Sequence, residues 1–344
     1  MNPLILSMLL SNLALSVIIT ATSFHWFLAW VGLELNTLAI IPILAKQHHP
    51  RATEAATKYF IIQAMASSII LFSSTLNAWH TGIWDITQLT IFPATMTLTI
   101  ALTMKLGLAP LHFWLPEVMQ GITFTSALIT TTWQKLPPMT LLYLTAPNLP
   151  TLILFSLALT STLIGGWSGL NQTQMRKIMA YSSIAHLGWM VVILSLSQSL
   201  LLFTLLTYIL MTSSMFFTLI ASSSKTSKDL GQLWSTSPTI TSISLITLVS
   251  LGGLPPLIGF LPKWLILKEL ATHHLIPLAT ALALSSLLSL MFYMRLTYTT
   301  TLTISPNTTN SMMKWRFKLT KPLNTTAIIT MLLTLTPLLP LIAP

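Results

Sequence analysis

Four ionisable residues sit in stretches too apolar to hold them in solvent: Glu34 in WVGLELN, Lys105 in TMKLGLAPLHFW, Lys135 in TTWQKLPPM and Lys263 in GFLPKWLI. An ionisable group at bilayer depth costs about 2.5–3.5 kcal/mol on insertion scales, so it faces a bundle interior, a partner or a wet path. The proton affinity of a buried lysine responds strongly to a neighbouring carboxylate, so a small movement of Glu34 against Lys105 would change who holds the proton. That is the chemistry of a gated proton carrier. A fixed Lys–Glu pair that only ties helices together is the bland alternative for any one pair, but Glu34 cannot neutralise three lysines at once. Each lysine also neighbours helix breakers. Pro110, Pro137 and Pro262 take the usual helical partner from the carbonyls of Leu106, Trp133 and Ile258, and non-helical backbone at this depth is tolerated only where protein or water satisfies it.

The elements that position these groups must be membrane helices. Of 344 residues, 53% are hydrophobic and 6% charged, against about 25% charged in soluble domains. Crossing the hydrocarbon core takes about 20 apolar residues of helix. Spans are predicted near 3–21, 26–45, 58–78, 92–111, 123–145, 151–170, 178–196, 199–221, 239–267, 275–296 and 323–342. The expected fold is therefore all-α and polytopic, with about eleven transmembrane helices. Two of them, carrying Lys105 and Lys263, are expected to be broken. These two lie five crossings apart and so run in opposite directions, the trace of an inverted five-plus-five repeat with a final helix added. The implied organisation is one membrane domain: a first repeat over 1–145, a second over 151–296, a basic loop over 297–321 and a last helix over 322–344. No basic leader or cleavage site precedes the first span, so insertion without processing is expected.

Basic residues cluster on one side. Loops after even-numbered spans, with their flanks, hold Lys46, Arg51, Lys58, Arg176, Lys177, Lys225, Lys228, Arg295, Lys314, Arg316, Lys318 and Lys321, whereas odd-numbered loops hold only Lys268. By the positive-inside rule the N-terminus lies on the basic side and the C-terminus opposite. The net charge of +10 is thus a matter of topology and lipid headgroups, and nucleic acid need not be invoked.

The remaining polar residues are weaker candidates. His112 and His186 lie in apolar context and could bridge carriers or simply link helices. His48–His49 and His273–His274 diverge as adjacent residues do, so no metal site is expected. The chain has no Cys, which removes thiolate and iron–sulfur ligation, and no Gly-rich dinucleotide fingerprint is present. Glu54, Asp85, Asp229 and Glu269 read as solvated or headgroup charges. Trp26, Trp79, Trp84, Trp234 and Trp315, near span ends, read as interfacial anchors.

The runs MKLGLAPLHFWLPE (104–117), QKLPP (134–138), MRKIMAYSSIAHLGWM (175–190) and GGLPPLIGFLPKW (252–264) resemble the antiporter-like membrane subunits of respiratory complex I, in their animal mitochondrial form. The resemblance spans essentially the whole chain. It implies that Glu34 matches the family's membrane glutamate, Lys105 the lysine of the first broken helix, Lys135 the central lysine, and Lys263 the lysine or glutamate of the second. His112 and His186 fall within family motifs. It further implies a subunit of an electron-transport enzyme, an H+-translocating NADH:ubiquinone reductase, sited in the mitochondrial inner membrane with its N-terminus on the matrix side. NADH, flavin, iron–sulfur clusters and ubiquinone would then bind other subunits, this chain holding no cofactor or metal. Its partners would be neighbouring membrane-arm chains and lipid. Alternatives left open at this level are a cation/proton antiporter subunit and a structural spacer with no proton path of its own.

Overall fold

The computed structural model describes residues 2–235, 237–255 and 257–302. The basic loop beyond 302, the last predicted helix, Lys314, Arg316, Trp315, Lys318 and Lys321 lie outside the described residues. Among the described residues all regular structure is helical, apart from two isolated bridges, His25 with Asp85 and Gln174 with Thr226. In chain order the helices are α1 (Pro3–Thr22), α2 (Trp26–Leu44), α3 (Pro50–Thr81), α4 (Phe92–Leu106), α5 (Trp114–Gly121), α6 (Phe124–Thr131), α7 (Leu136–Thr145), α8 (Thr151–Gly169), α9 (Met175–Leu194), α10 (Gln198–Ser222), α11 (Ser227–Gly231), α12 (Pro238–Gly252), α13 (Phe260–Thr272) and α14 (Ile276–Leu302).

Seven of these are long and apolar enough to cross a membrane: α1, α2, α3, α8, α9, α10 and α14. Their starts follow local chemistry. Proline occupies the first turn of α1, α3, α4 and α12, where its missing N–H has no intrahelical partner to lose. Asn2 caps α1 by accepting from the Leu4 amide at 3.2 Å, and Thr123 caps α6 by accepting from Ser126. Serine and threonine within the spans return their hydroxyls to carbonyls three or four residues back, as Ser16 does to Leu13 at 2.8 Å and Thr247 to Ser244 at 2.9 Å, so these polar groups enter the apolar interior already satisfied.

Three predicted spans are interrupted, one more than the sequence led us to expect. The fourth stops at Leu106 and resumes at Trp114; the ninth stops at Gly252 and resumes at Phe260. Both stops use the same device, a glycine in the left-handed region, Gly107 at φ 77° and Gly253 at φ 78°, whose N–H returns to the last turn. The additional break falls in the fifth span, where α6 ends at Thr131, a 3-10 turn covers Trp133–Lys135 and α7 begins at Leu136. Pro137 and Pro138 sit in the first turn of α7, which is where prolines are tolerated. The sequence placed these prolines inside one helix; they start a second one.

The chain forms two compact units. The first runs through Ser161 and takes in Val191–Gln198; the second holds Thr162–Met190 and continues from Ser199. Within the first unit close packing rests on small residues: a Cβ at Gly32 would lie 2.6 Å from Thr20 Cγ2, and one at Gly121 2.5 Å from the Arg51 carbonyl oxygen. Within the second, a Cβ at Gly165 would lie 2.8 Å from the Ala185 nitrogen. Trp26 is 1% exposed, so it is a core residue of the first unit and not an interfacial anchor; Trp79, 88% exposed, fits the anchor reading.

Candidate proton-carrier sites

In the first unit, Lys105 lies in the last turn of α4 and Lys135 ends the 3-10 turn before α7. Both are buried, and both line one cavity of about 10 Å³, close to the smallest space that holds a water. Lys105 Nζ is fully enclosed and has no hydrogen-bond partner among the described residues. An ammonium in that position is costly, so the group either sheds its proton or recruits water and counter-charge. Glu34, on α2, is half-buried and within electrostatic reach of both Lys105 and Tyr59. Glu34 and Lys105 make no direct ion pair, so the bland alternative of a fixed tie between them is not what the structure holds. Glu34 Oε2 accepts instead from the Thr37 hydroxyl at 3.0 Å, one turn along its own helix.

Polar groups that the sequence reading passed over surround the two lysines. Asn36 and Gln134 exchange amide hydrogen bonds, Asn36 Nδ2 donating to Gln134 Oε1 at 2.8 Å and Gln134 Nε2 to Asn36 Oδ1 at 3.1 Å. The Tyr59 hydroxyl also donates to Gln134 Oε1, at 3.1 Å. Gln63 Nε2 donates to the Lys105 carbonyl at 3.3 Å, and Trp114 Nε1 to the Met104 carbonyl at 3.1 Å, so side chains from α3 and α5 stitch the fourth-span break. Asn36, Tyr59, Gln63 and Gln134 all line the cavity with the lysines. Their signal in the sequence was polarity alone, an amide or phenol inside an apolar run, which helix packing explains equally well.

The proline effect is also more contained than expected. The Trp133 carbonyl accepts from the Leu136 amide, and the Ile258 carbonyl from the Leu261 amide at 3.2 Å, because 3-10 geometry supplies the partner that the α-helical one would have been. His112 is buried, its Nδ1 3.3 Å from the Pro110 carbonyl oxygen and its ring 4.4 Å from that of Phe113; it does not line the lysine cavity.

In the second unit, Lys263 opens α13 and reaches back across the ninth-span break, donating from Nζ to the Gly252 carbonyl at 2.9 Å. It lines a cavity of about 20 Å³ with His186, Thr207, Tyr208 and Gly259. The His186 and Tyr208 ring centroids are 5.7 Å apart. A titratable imidazole and a lysine thus share one water-sized space.

Outside these sites, Lys58 bridges two carboxylates, Glu54 at 2.7 Å and Glu117 at 2.9 Å, on an exposed face of the first unit. Glu54 is an exposed surface charge, as expected, and is paired with Lys58. No group of His, Asp or Glu suited to a metal occurs among the described residues.

Comparison with known proteins shows the family. The transmembrane family described as NADH:quinone oxidoreductase/Mrp antiporter matches residues 23–289, and NADH dehydrogenase subunit 2 C-terminus matches 290–343. The chain belongs to the NADH:quinone oxidoreductase/Mrp antiporter family. Among relatives of this family member, NADH-ubiquinone oxidoreductase chain 2 of Xenopus laevis is 57% identical over 94% of this chain and 93% of its own, and that of Salmo salar 56% identical over 99% and 98%. A chain of respiratory complex I from Thermus thermophilus superposes with a TM-score of 0.85 at 27% identity, covering 99% of this chain and 80% of its own. A chain of the Mrp complex from Dietzia sp. has a TM-score of 0.80 at 19% identity, covering 88% and 61%, a likeness of fold. The family and the kind of subunit expected from the four motifs are thus the ones found.

Proposed function

We propose that this chain is a core membrane-arm subunit of a proton-translocating NADH:ubiquinone oxidoreductase, in which Glu34, Lys105, Lys135 and Lys263 carry the protons and quinone reduction in other subunits drives them. The observation that carries the reading is Lys105: a buried amine with no hydrogen-bond partner among the described residues, sharing a water-sized cavity with Lys135 and lying within reach of Glu34. A residue kept only for structure would be satisfied, because an unpaired buried cation destabilises without return. His186, which lines the Lys263 cavity, and His112, at the fourth-span break, are lesser candidates for proton transfer.

The finer organisation follows from this reading. Eleven spans, three of them interrupted, are arranged as an inverted repeat over 1–145 and 151–296 plus a last helix, with the matched glycine stops at Gly107 and Gly253 supporting the repeat. The N-terminus lies on the matrix side of the mitochondrial inner membrane and the C-terminus on the intermembrane side, on the strength of the basic loops. NADH, flavin, iron–sulfur clusters and ubiquinone belong to other subunits, in keeping with a sequence that has no cysteine. Neighbouring antiporter-like chains and membrane lipid are its partners.

The test is Lys135→Ala in the assembled enzyme in sealed vesicles. The expected result is electron transfer that continues while protons moved per electron fall; an unchanged ratio in fully assembled enzyme rejects the central carrier. The family's antiporter membership favours a second reading, direct exchange of sodium or potassium for protons. Cation-dependent proton exchange by the isolated chain would select it.

A further inference from the structure

A further polar site lies in the second unit and shares no lining residue with the Lys263 cavity. From Leu284 onward the large exposed side chains of α14 form one stripe, Leu284, Leu287, Met291, Arg295, Tyr298 and Leu302, spaced three or four apart as a single helix face. Five of the six suit lipid tails or the interface; Arg295 does not. It lies seven residues before the helix end, about 10 Å down the axis. A guanidinium on a lipid-facing stripe needs a counter-charge or a route to the headgroups.

Arg295 forms the outer lip of a cleft of about 30 Å³ whose other polar walls are Gln172, Ser227 and Thr299 and whose apolar walls are Leu170, Ile178, Phe292 and Leu296. Arg295 Nη1 donates to the Leu170 carbonyl at 2.7 Å, which fixes the plane of the fork and leaves the remaining N–H groups to be used. No acidic side chain lines the cleft, and no carboxylate pairs with Arg295 among the described residues. More cations converge on this end. The loop before α9 is tied to the loop before α11, Met175 N–H to the Lys225 carbonyl at 3.0 Å and Ser227 N–H to the Thr173 carbonyl at 3.0 Å, which gathers Arg176, Lys177, Lys225 and Lys228 near the same rim. The one acid there, Asp229, caps α11: its Oδ2 accepts from the backbone of Lys225 at 3.0 Å and of Thr226 at 2.8 Å. Cations outnumber acids at this rim.

We propose that this cleft binds the phosphate of an anionic phospholipid, with Arg295 gripping the phosphate oxygens, Gln172 and Ser227 supplying further donors, and the acyl chains running down the Leu284–Met291 stripe. Arginine forks match phosphate geometry, and basic pockets on this side of a membrane protein take anionic headgroups. Apolar residues on both the cleft wall and the stripe fit a lipid better than a free anion.

The experiment uses the assembled enzyme, delipidated in detergent and exposed to vesicles of phosphatidylcholine alone, of phosphatidylcholine with cardiolipin, or of phosphatidylcholine with added inorganic phosphate, retained lipid being counted by mass spectrometry. At about five-fold per lost surface cation, Arg295→Gln is expected to retain several-fold less cardiolipin, with phosphatidylcholine unchanged. Arg295→Lys should fall between, because the charge remains and the fork does not. Ser227→Ala, which leaves the Arg295–Leu170 bond and the loop backbone intact, should lose about two-fold and guards against misfolding of the arginine variants. Cardiolipin retention in Arg295→Gln and Ser227→Ala equal to that of the parent enzyme overturns the proposal. So does inorganic phosphate displacing cardiolipin at low concentration, which would make this a free-anion site, or a crosslink from position 295 to a carboxylate of a neighbouring subunit.

Discussion

Asn36 and Gln134 lie 98 residues apart in sequence and exchange both amide hydrogen bonds, so the helix carrying Glu34 is bolted to the turn carrying Lys135. Replacing either by leucine strands the partner's donors and acceptor in a buried place, at a cost of about 1–3 kcal/mol. Asn36→Leu with Gln134→Leu together should cost less than the sum of the single changes, with a coupling of about 0.5–3 kcal/mol. Thermal unfolding of the two single variants and the double variant measures it, and strict additivity would dissolve the pair as an energetic unit.

Lys105→Met should separate stability from transport. The substitution keeps the volume and removes a buried amine that has no hydrogen-bond partner, so unfolding should be unchanged or shifted upward. Protons moved per electron in sealed vesicles should drop. A destabilised Lys105→Met enzyme with normal pumping would show the lysine to be a structural tie.

Two left-handed glycines should differ in tolerance. Gly82, at φ 72°, has nothing within 4 Å of a Cβ, so Gly82→Ala should cost only the conformational term, about 1 kcal/mol. Gly107, at φ 77°, would set that Cβ 3.2 Å from Leu115 Cδ1 and 3.3 Å from Trp114 Cζ2, so Gly107→Ala should cost clearly more. The comparison of melting temperatures decides.

Asp229 should make the loop before α11 acid-sensitive. Burial opposes its ionisation, and the amides of Thr226 and Lys225 outweigh that, holding its carboxyl below the usual carboxylate range. A lowered folded pKa contributes stability that is fully present above the unfolded value of about 3.9 and is lost as pH falls through the folded one. Its capping box with Thr226 is worth about 1 kcal/mol. Asp229→Asn should therefore be less stable than the parent at pH 7, and the gap should close as pH falls below 4 when unfolding is followed across that range.

The sequence made the all-helical membrane character and the three lysines legible because each is a one-dimensional signal: length of apolar run and charge out of place. Lys135 shows where that stops. Its two following prolines were visible, but whether they kink one helix or begin another depends on the 3-10 turn at Trp133–Lys135, which tertiary packing selects. Glu34 shows the same limit for contacts. Its nearest acceptor role, to Thr37, is local and could have been read from the i, i+3 spacing, whereas the absence of a direct Lys105 pair depends on helix rotation. Tyr59, Gln63 and Gln134 were hidden for want of any periodic or motif signal.

The bond from Lys263 to the Gly252 carbonyl has a consequence for how charge could move through the second unit. A protonated lysine has three N–H donors and a neutral one has two, so a single N–H can keep hold of the carbonyl in either state. The amine can then give up or collect a proton without letting go of the helix stop it clasps. Wiring and scaffolding would be carried by different hydrogens of the same nitrogen, and the unit could cycle electrically while standing mechanically still.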